Sequence, residues 1–156
     1  ALSLPEANTW HAFFVGEETP NATGGLRNEL ESMVCDWNLS DRVHWFPNSD
    51  QLESAYDACD AYAMCSVSET IGMVTMEAMA RRIPVVGTRS GGTPELLAHG
   101  EAGVLFEPEN AQQLADLLSR HKEWPLPSTA HLHSFKKSTV MEKWTSLLHG
   151  LGHSPS

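Results

Sequence analysis

Short apolar runs alternate with amphipathic stretches along most of the chain. Residues 10–15 (WHAFFV) form an apolar run closed by Gly16, the pattern of a buried strand. Residues 24–37 place Leu26, Leu30, Met33, Val34 and Trp37 at helical spacing, with Arg27, Glu29, Glu31 and Asp36 on other faces. Residues 41–46 predict a second strand that Pro47 stops, and 50–59 a short helix with Asp50 as its cap. A third strand follows at 60–66 (DAYAMCS), then a helix at 72–82 that is almost wholly apolar up to Arg81. Residues 83–88 and 103–106 supply a fourth and a fifth strand, with a short helix at 94–99 between them. Helices at 111–121 and 140–148 complete the pattern, separated by a Pro-, Ser- and His-rich stretch.

Strands that alternate with helices over short connections run parallel, joined by crossover helices. Near-continuous apolar strands agree, since helices then cover both faces of the sheet. The expectation is an α/β fold, a doubly wound Rossmann-like parallel sheet. Residues 1–122 would form the domain, 123–134 a linker, and 135–156 a C-terminal helix and tail.

Composition narrows the function classes. The chain has 156 residues, 20 acidic and 10 basic side chains, and a formal net charge of -10. Such an acidic balance argues against general nucleic-acid binding, which shows a basic footprint. No apolar run approaches the ~18 residues that a membrane helix needs, and no signal-peptide pattern opens the chain. Cys35, Cys59 and Cys65 are odd in number and show no paired spacing. Packed free thiols and a reducing, cytoplasmic setting follow. The triplets at Asn21 and Asn38 are of a length that arises by chance. His131 and His133 have no Cys or carboxylate nearby to complete the four ligands of a structural zinc site, so no metal is expected.

In open α/β sheets ligands bind beyond the carboxyl ends of the strands, which points to the loops after residues 66 and 88. The first places Glu69 at a strand tip and Gly72 at a helix start. The amides of Gly72, Met73 and Val74 then lack intrahelical partners and, with the helix dipole, suit a phosphate. Gly72 has no Cβ to keep an anion from the backbone. Glu77 follows on the order of 7.5 Å further along the axis, among apolar neighbours. A carboxylate there is costly unless something binds it. It either pairs with Arg81, four residues on, or accepts hydrogen bonds from a sugar diol. The second loop carries Gly91 and Gly92, suited to a tight turn or close approach to a ligand. Thr93 reads as an N-cap with Pro94 at the first helical position.

These motifs occur in an order that resembles one family. Glu69-x7-Glu77 precedes Ala78-Met79-Ala80, then Pro84-Val85-Val86, Ser90-Gly91-Gly92-Thr93-Pro94-Glu95, and residues 100–108 (GEAGVLFEP). Val15-Gly16, residues 39–43 (LSDRV) and Leu52…Tyr56…Cys59-Asp60-Ala61 match upstream. The pattern is similar to the C-terminal, nucleotide-sugar-binding domain of retaining GT-B glycosyltransferases of the family 4 type.

The resemblance implies specific roles. Glu69 would lie against the donor sugar, as the catalytic residue. Glu77 would bind the ribose hydroxyls of a UDP- or GDP-sugar. The Gly72–Val74 amides would hold its diphosphate, without a metal. Thr70, Ile71, Gly91 and Gly92 would complete the donor site. Thr70-Ile71 departs from the family's usual Gly-Phe, and Arg82 from its usual Gly, which would put Arg82 in a left-handed cap. The family's domain also opens with a central strand and a loop bearing Arg and Lys, for which residues 1–6 are too late. With strand order 3-2-1-4-5-6, unpaired edges inside the sheet are expected. The partner would be an N-terminal acceptor domain, or another chain completing the sheet. The alternatives are a non-catalytic interaction module and a related nucleotide-sugar epimerase.

Overall fold

The computed structural model describes residues 10–16, 25–47 and 52–151. Strands and helices alternate as β1 (Ala12–Val15), α1 (Leu26–Asp36), β2 (Val43–Phe46), α2 (Leu52–Asp57), β3 (Tyr62–Met64) and α3 (Met73–Ala80). They continue as β4 (Val85–Thr88), α4 (Thr93–Leu96), β5 (Val104–Phe106), α5 (Ala111–Leu118), α6 (Thr129–Leu132) and α7 (Lys137–Leu151). The α/β fold with parallel strands is the one the alternation predicts. Asp50, Asn21 and residues 1–6 lie outside the described residues, and with them the roles expected there.

The sheet is in two parts. β1 pairs with β2 in parallel, Ala12 opposite Val43, and β3-β4-β5 form a second parallel sheet with Tyr62 opposite Val85 and Val86 opposite Val104. No ladder joins β1 to β3, so each keeps one unpaired edge among the described residues. The break falls where the sheet order placed an interior edge.

Burial follows this division. Every residue of β4 is buried, and Met79, Val85, Val86 and Leu97 are the large apolar side chains fully removed from solvent. α3 lays Ala78 and Met79 against this strand, which is why its sequence is apolar almost all round. Val86, Phe106 and Trp124 form a second cluster toward α5. β1 departs from expectation. Its apolar run is not covered: Phe13 and Phe14 are 43% and 48% exposed. α1 contributes no buried residue to shield it. The rings stack across the strand pair instead, Phe13 on His44 and Phe46, and Phe14 on Trp45.

Residues 123–134, expected as a linker, are packed against the body. Trp124 is buried, α6 forms within the stretch, and a His131 ring nitrogen lies 2.8 Å from the Leu96 carbonyl. Leu132 and Phe135 pack on the core cluster. Apolar anchors among the Pro, Ser and His residues outweigh the loop composition. The three cysteines are free, but Cys35 and Cys65 are exposed and only Cys59 is half-buried, so the expected packing is missing for two of them.

α3 ends as foreseen, in a left-handed residue that is not glycine. Arg82 has φ 60°, and the Arg82 and Ile83 amides donate to the Met79 and Ala78 carbonyls at 2.9 and 3.0 Å. These bonds make a Schellman cap, with Ile83 buried as its apolar stop. A side chain in this conformation costs about 1 kcal/mol. Arg82→Gly is therefore expected to raise the melting temperature by about 2–4 °C in a thermal denaturation followed by circular dichroism.

Candidate functional site

The loops leaving β3 and β4 are sewn together at the carboxyl end of the sheet. The Thr88 and Ser90 hydroxyls donate to the Ser66 and Val67 carbonyls at 2.6 and 2.5 Å. The Gly92 amide donates to the Glu69 carbonyl at 2.7 Å. This contact explains the paired glycines. Gly91 has φ 56°, and a Cβ on it would stand 2.2 Å from the Glu69 carbonyl oxygen. A Cβ on Gly92 would stand 2.1 Å from that of Thr70. The room a side chain would need is filled by the neighbouring loop, not left open for a ligand.

Gly72 is corrected in the same sense. It occupies the N-cap of α3 with ordinary negative φ, and it is buried. An added Cβ would meet Thr75 Oγ1 at 2.8 Å and Met64 Cε at 3.2 Å. Its missing side chain serves packing between α3 and β3 rather than access for an anion. The amides of Gly72, Met73 and Val74 nevertheless have no partner among the described residues, as a helix start requires. Thr70 is exposed beside them, and Ile71, Met73 and Val74 present exposed apolar side chains.

The two glutamates flank this helix start. Glu69 is half-buried, and its Oε1 accepts a hydrogen bond from the Thr70 amide at 3.0 Å, which turns the carboxylate back over its own loop. Glu77 lies on α3, also half-buried, and its Oε2 accepts from the Tyr56 hydroxyl at 3.0 Å. The pairing with Arg81 weighed from sequence does not form. Arg81 reaches across to α2, 3.4 Å from Glu53 and 3.8 Å from Asp57, with its guanidinium 5.3 Å from the centre of the Tyr56 ring. Burial, then the hydrogen bond to Glu77 and its charge, push the Tyr56 phenol well above its usual range.

Thr93 is not a cap. Gly92 holds that position, while Thr93 is buried with its methyl packed beside Gly87 of β4. Pro94 therefore stands at the second position of α4, one later than expected but still within the first turn. Tyr56 is the participant that sequence reasoning missed: it was quoted only as part of a family pattern, and nothing local links positions 56 and 77. Among the described residues no three His, Cys, Asp or Glu side chains converge as metal ligands, and His131 is engaged with Leu96.

Known proteins are similar to this chain in sequence and fold. A family model described as glycosyl transferases group 1 matches residues 1–137. A D-inositol 3-phosphate glycosyltransferase of Corynebacterium urealyticum is 41% identical over 104 residues, covering 65% of this chain and 24% of that protein. HepE of Anabaena, solved in complex with UDP, superposes with a TM-score of 0.67 at 30% identity, covering 73% of this chain and 31% of that one. The C-terminal domain of LpcC from Francisella tularensis, a glycosyl transferase group 1 family protein, gives 0.63 at 33% identity over 71% of this chain and 58% of that one. The chain thus spans about a quarter of that curated relative's length.

The loop contact generates a test. Gly92→Ala must push Glu69 and Thr70 outward, and strain of this kind costs about 1–3 kcal/mol. A urea midpoint lowered to match is expected, and an unchanged midpoint would show that the loops are not clamped.

Proposed function

The chain belongs to the glycosyl transferases group 1 family, and on that premise we propose that it is the donor-binding part of a larger, retaining glycosyltransferase of the family 4 type. It would stand at the C-terminal side of that enzyme, as the LpcC domain does in its own protein. The donor is a nucleotide-diphosphate sugar, UDP- or GDP-linked. Complexes of HepE with UDP and with UDP-glucose support this class.

One observation carries the proposal: two glutamates flank a helix start whose amides are open. The diphosphate would sit on the Gly72, Met73 and Val74 amides, where the helix dipole favours negative charge. As the sugar–phosphate bond breaks, charge grows on the leaving diphosphate, and pre-aligned amides stabilise that charge without reorganising. This chemistry calls for no metal ligand from the chain. Glu69, at the strand tip, would lie against the donor sugar as the catalytic residue and orient its hydroxyls. Glu77 would take the ribose diol. Thr70 and Ile71 would border the sugar, while Gly91 and Gly92 act at one remove by fixing the Glu69 loop. Acceptor recognition would come from an N-terminal acceptor domain, and cationic phosphate ligands from the opening strand and loop of the donor domain itself, both outside residues 1–156. The three free thiols support a reducing, cytoplasmic setting.

The edges of β1 and β3, unpaired among the described residues, with Phe13 and Phe14 exposed, favour a second reading. In it the chain is a non-catalytic interaction module whose sheet is completed by a strand from a partner. A nucleotide-sugar epimerase of the same fold is a third, separated from the first by the product it releases.

Calorimetric titration distinguishes them. Saturable binding of UDP or GDP is expected, weakened about tenfold or more by Glu77→Ala, in line with loss of a hydrogen bond to a charged group. No nucleotide binding, together with tight association to another chain, would favour the module. In the full-length enzyme, proton NMR of the product is expected to show the donor's anomeric configuration retained. Residues 1–156 alone should transfer no sugar, and transfer by them would refute the division of labour.

A further inference from the structure

We propose that Tyr56 is a positioning residue that commits one oxygen of Glu77, so that the other is offered to a ribose diol in a single orientation. The proposal rests on the donor-site role given above to Glu77 and concerns how strongly a ribonucleotide is preferred over its 2′-deoxy form.

Tyr56 sits near the end of α2 and is 6% exposed. Its hydroxyl lies 3.0 Å from Glu77 Oε2 and 3.2 Å from the Val74 carbonyl oxygen. A phenol has one proton to donate, and the ionised carboxylate is the stronger acceptor. Among the described residues, Glu77 Oε1 accepts no hydrogen bond. One oxygen is anchored and one is available.

The anchor is itself held. Glu53 and Asp57 stand three residues before Tyr56 and one after it, and both reach Arg81 at the C-cap of α3. The Arg81 guanidinium lies 5.3 Å from the centre of the Tyr56 ring. Glu77 and Arg81, one turn apart on α3, are thus both engaged by α2 instead of by each other. Had Glu77 paired with Arg81, a cation would compete with any diol for the same carboxylate. With Arg81 drawn away and Tyr56 donating, the carboxylate loses rotational freedom before a ligand arrives. Ordering a side chain in advance is worth roughly three- to tenfold in affinity.

The test compares UDP with 2′-deoxy-UDP by calorimetry in the wild-type chain, Tyr56→Phe and Glu77→Ala. The wild type is expected to prefer UDP by about tenfold or more, because the deoxy analogue leaves a carboxylate oxygen unmatched. Glu77→Ala should abolish the preference. Tyr56→Phe, which keeps the ring beneath Arg81, should reduce the preference roughly three- to tenfold, mainly by weakening UDP. A purely structural role would weaken both nucleotides equally and leave their ratio unchanged. Tyr56→His retains a ring that can donate, and it should keep more of the preference than Tyr56→Phe. It also serves if the phenylalanine variant fails to fold. An unchanged ratio in Tyr56→Phe, with Glu77→Ala collapsing it, overturns the Tyr56 proposal alone. Where GDP binds and UDP does not, the same ratios are read with GDP and 2′-deoxy-GDP; a wild type that binds neither, or a Glu77→Ala variant that keeps the preference, overturns the donor-site reading and this proposal with it.

Discussion

The open end of the sheet depends on one close contact, the passage of the Gly91-Gly92 backbone under the Glu69–Thr70 backbone. The Gly92 amide reaches the Glu69 carbonyl at 2.7 Å, and neither glycine could carry a Cβ there. A side chain at either glycine would meet the facing carbonyl oxygen and displace the Glu69–Thr70 loop. The height of Glu69 over the sheet and the entry of the chain into α3 both follow from this contact. Buried β4 beneath gives the contact its rigidity, since its four residues are enclosed by helices on either side.

A second set of contacts fixes the other glutamate. A buried or half-buried carboxylate is tolerated when it is hydrogen-bonded, and Glu77 meets this condition through Tyr56. The same helix pair places Arg81 between two acidic side chains of α2. Glu53 and Asp57 are largely exposed, so these ion pairs contribute little to stability. Their consequence is directional: they draw the guanidinium away from Glu77.

The two halves of the sheet differ for a physical reason. β3, β4 and β5 have α3, α4 and α5 over them and bury their side chains against one another. β1 and β2 rely on stacked rings, with open edges and half-exposed aromatics. Backbone groups on an uncovered edge seek a ladder partner. The exposed apolar stripe of α7 (Val140, Met141, Trp144, Leu147 and Leu148) is likewise without a partner among the described residues.

Much of this was written in local patterns. Apolar periodicity located the strands and helices, since periods of 2 and 3.6 are properties of neighbouring residues. Motif order named the family and marked Glu69, Glu77 and the helix start. The left-handed Arg82 followed from the resemblance, which has a glycine at that position. Other features were decided by residues far apart in the chain. The alternatives left open at Gly91 and Gly92, and the use of the space beside Gly72, were decided by packing, since only packing shows which way a missing Cβ would point. Thr93 suited a cap by type, but burial beside Gly87 moved it inside. Residues 123–134 looked like a linker until Trp124, Leu132 and Phe135 found the core. By itself the sequence determined the elements, the fold class and the candidate carboxylates, because these depend on short spacings. Which oxygen of Glu77 is held, and by which hydroxyl, only the tertiary structure decided, because α2 and α3 meet across a strand and a loop that no local rule connects.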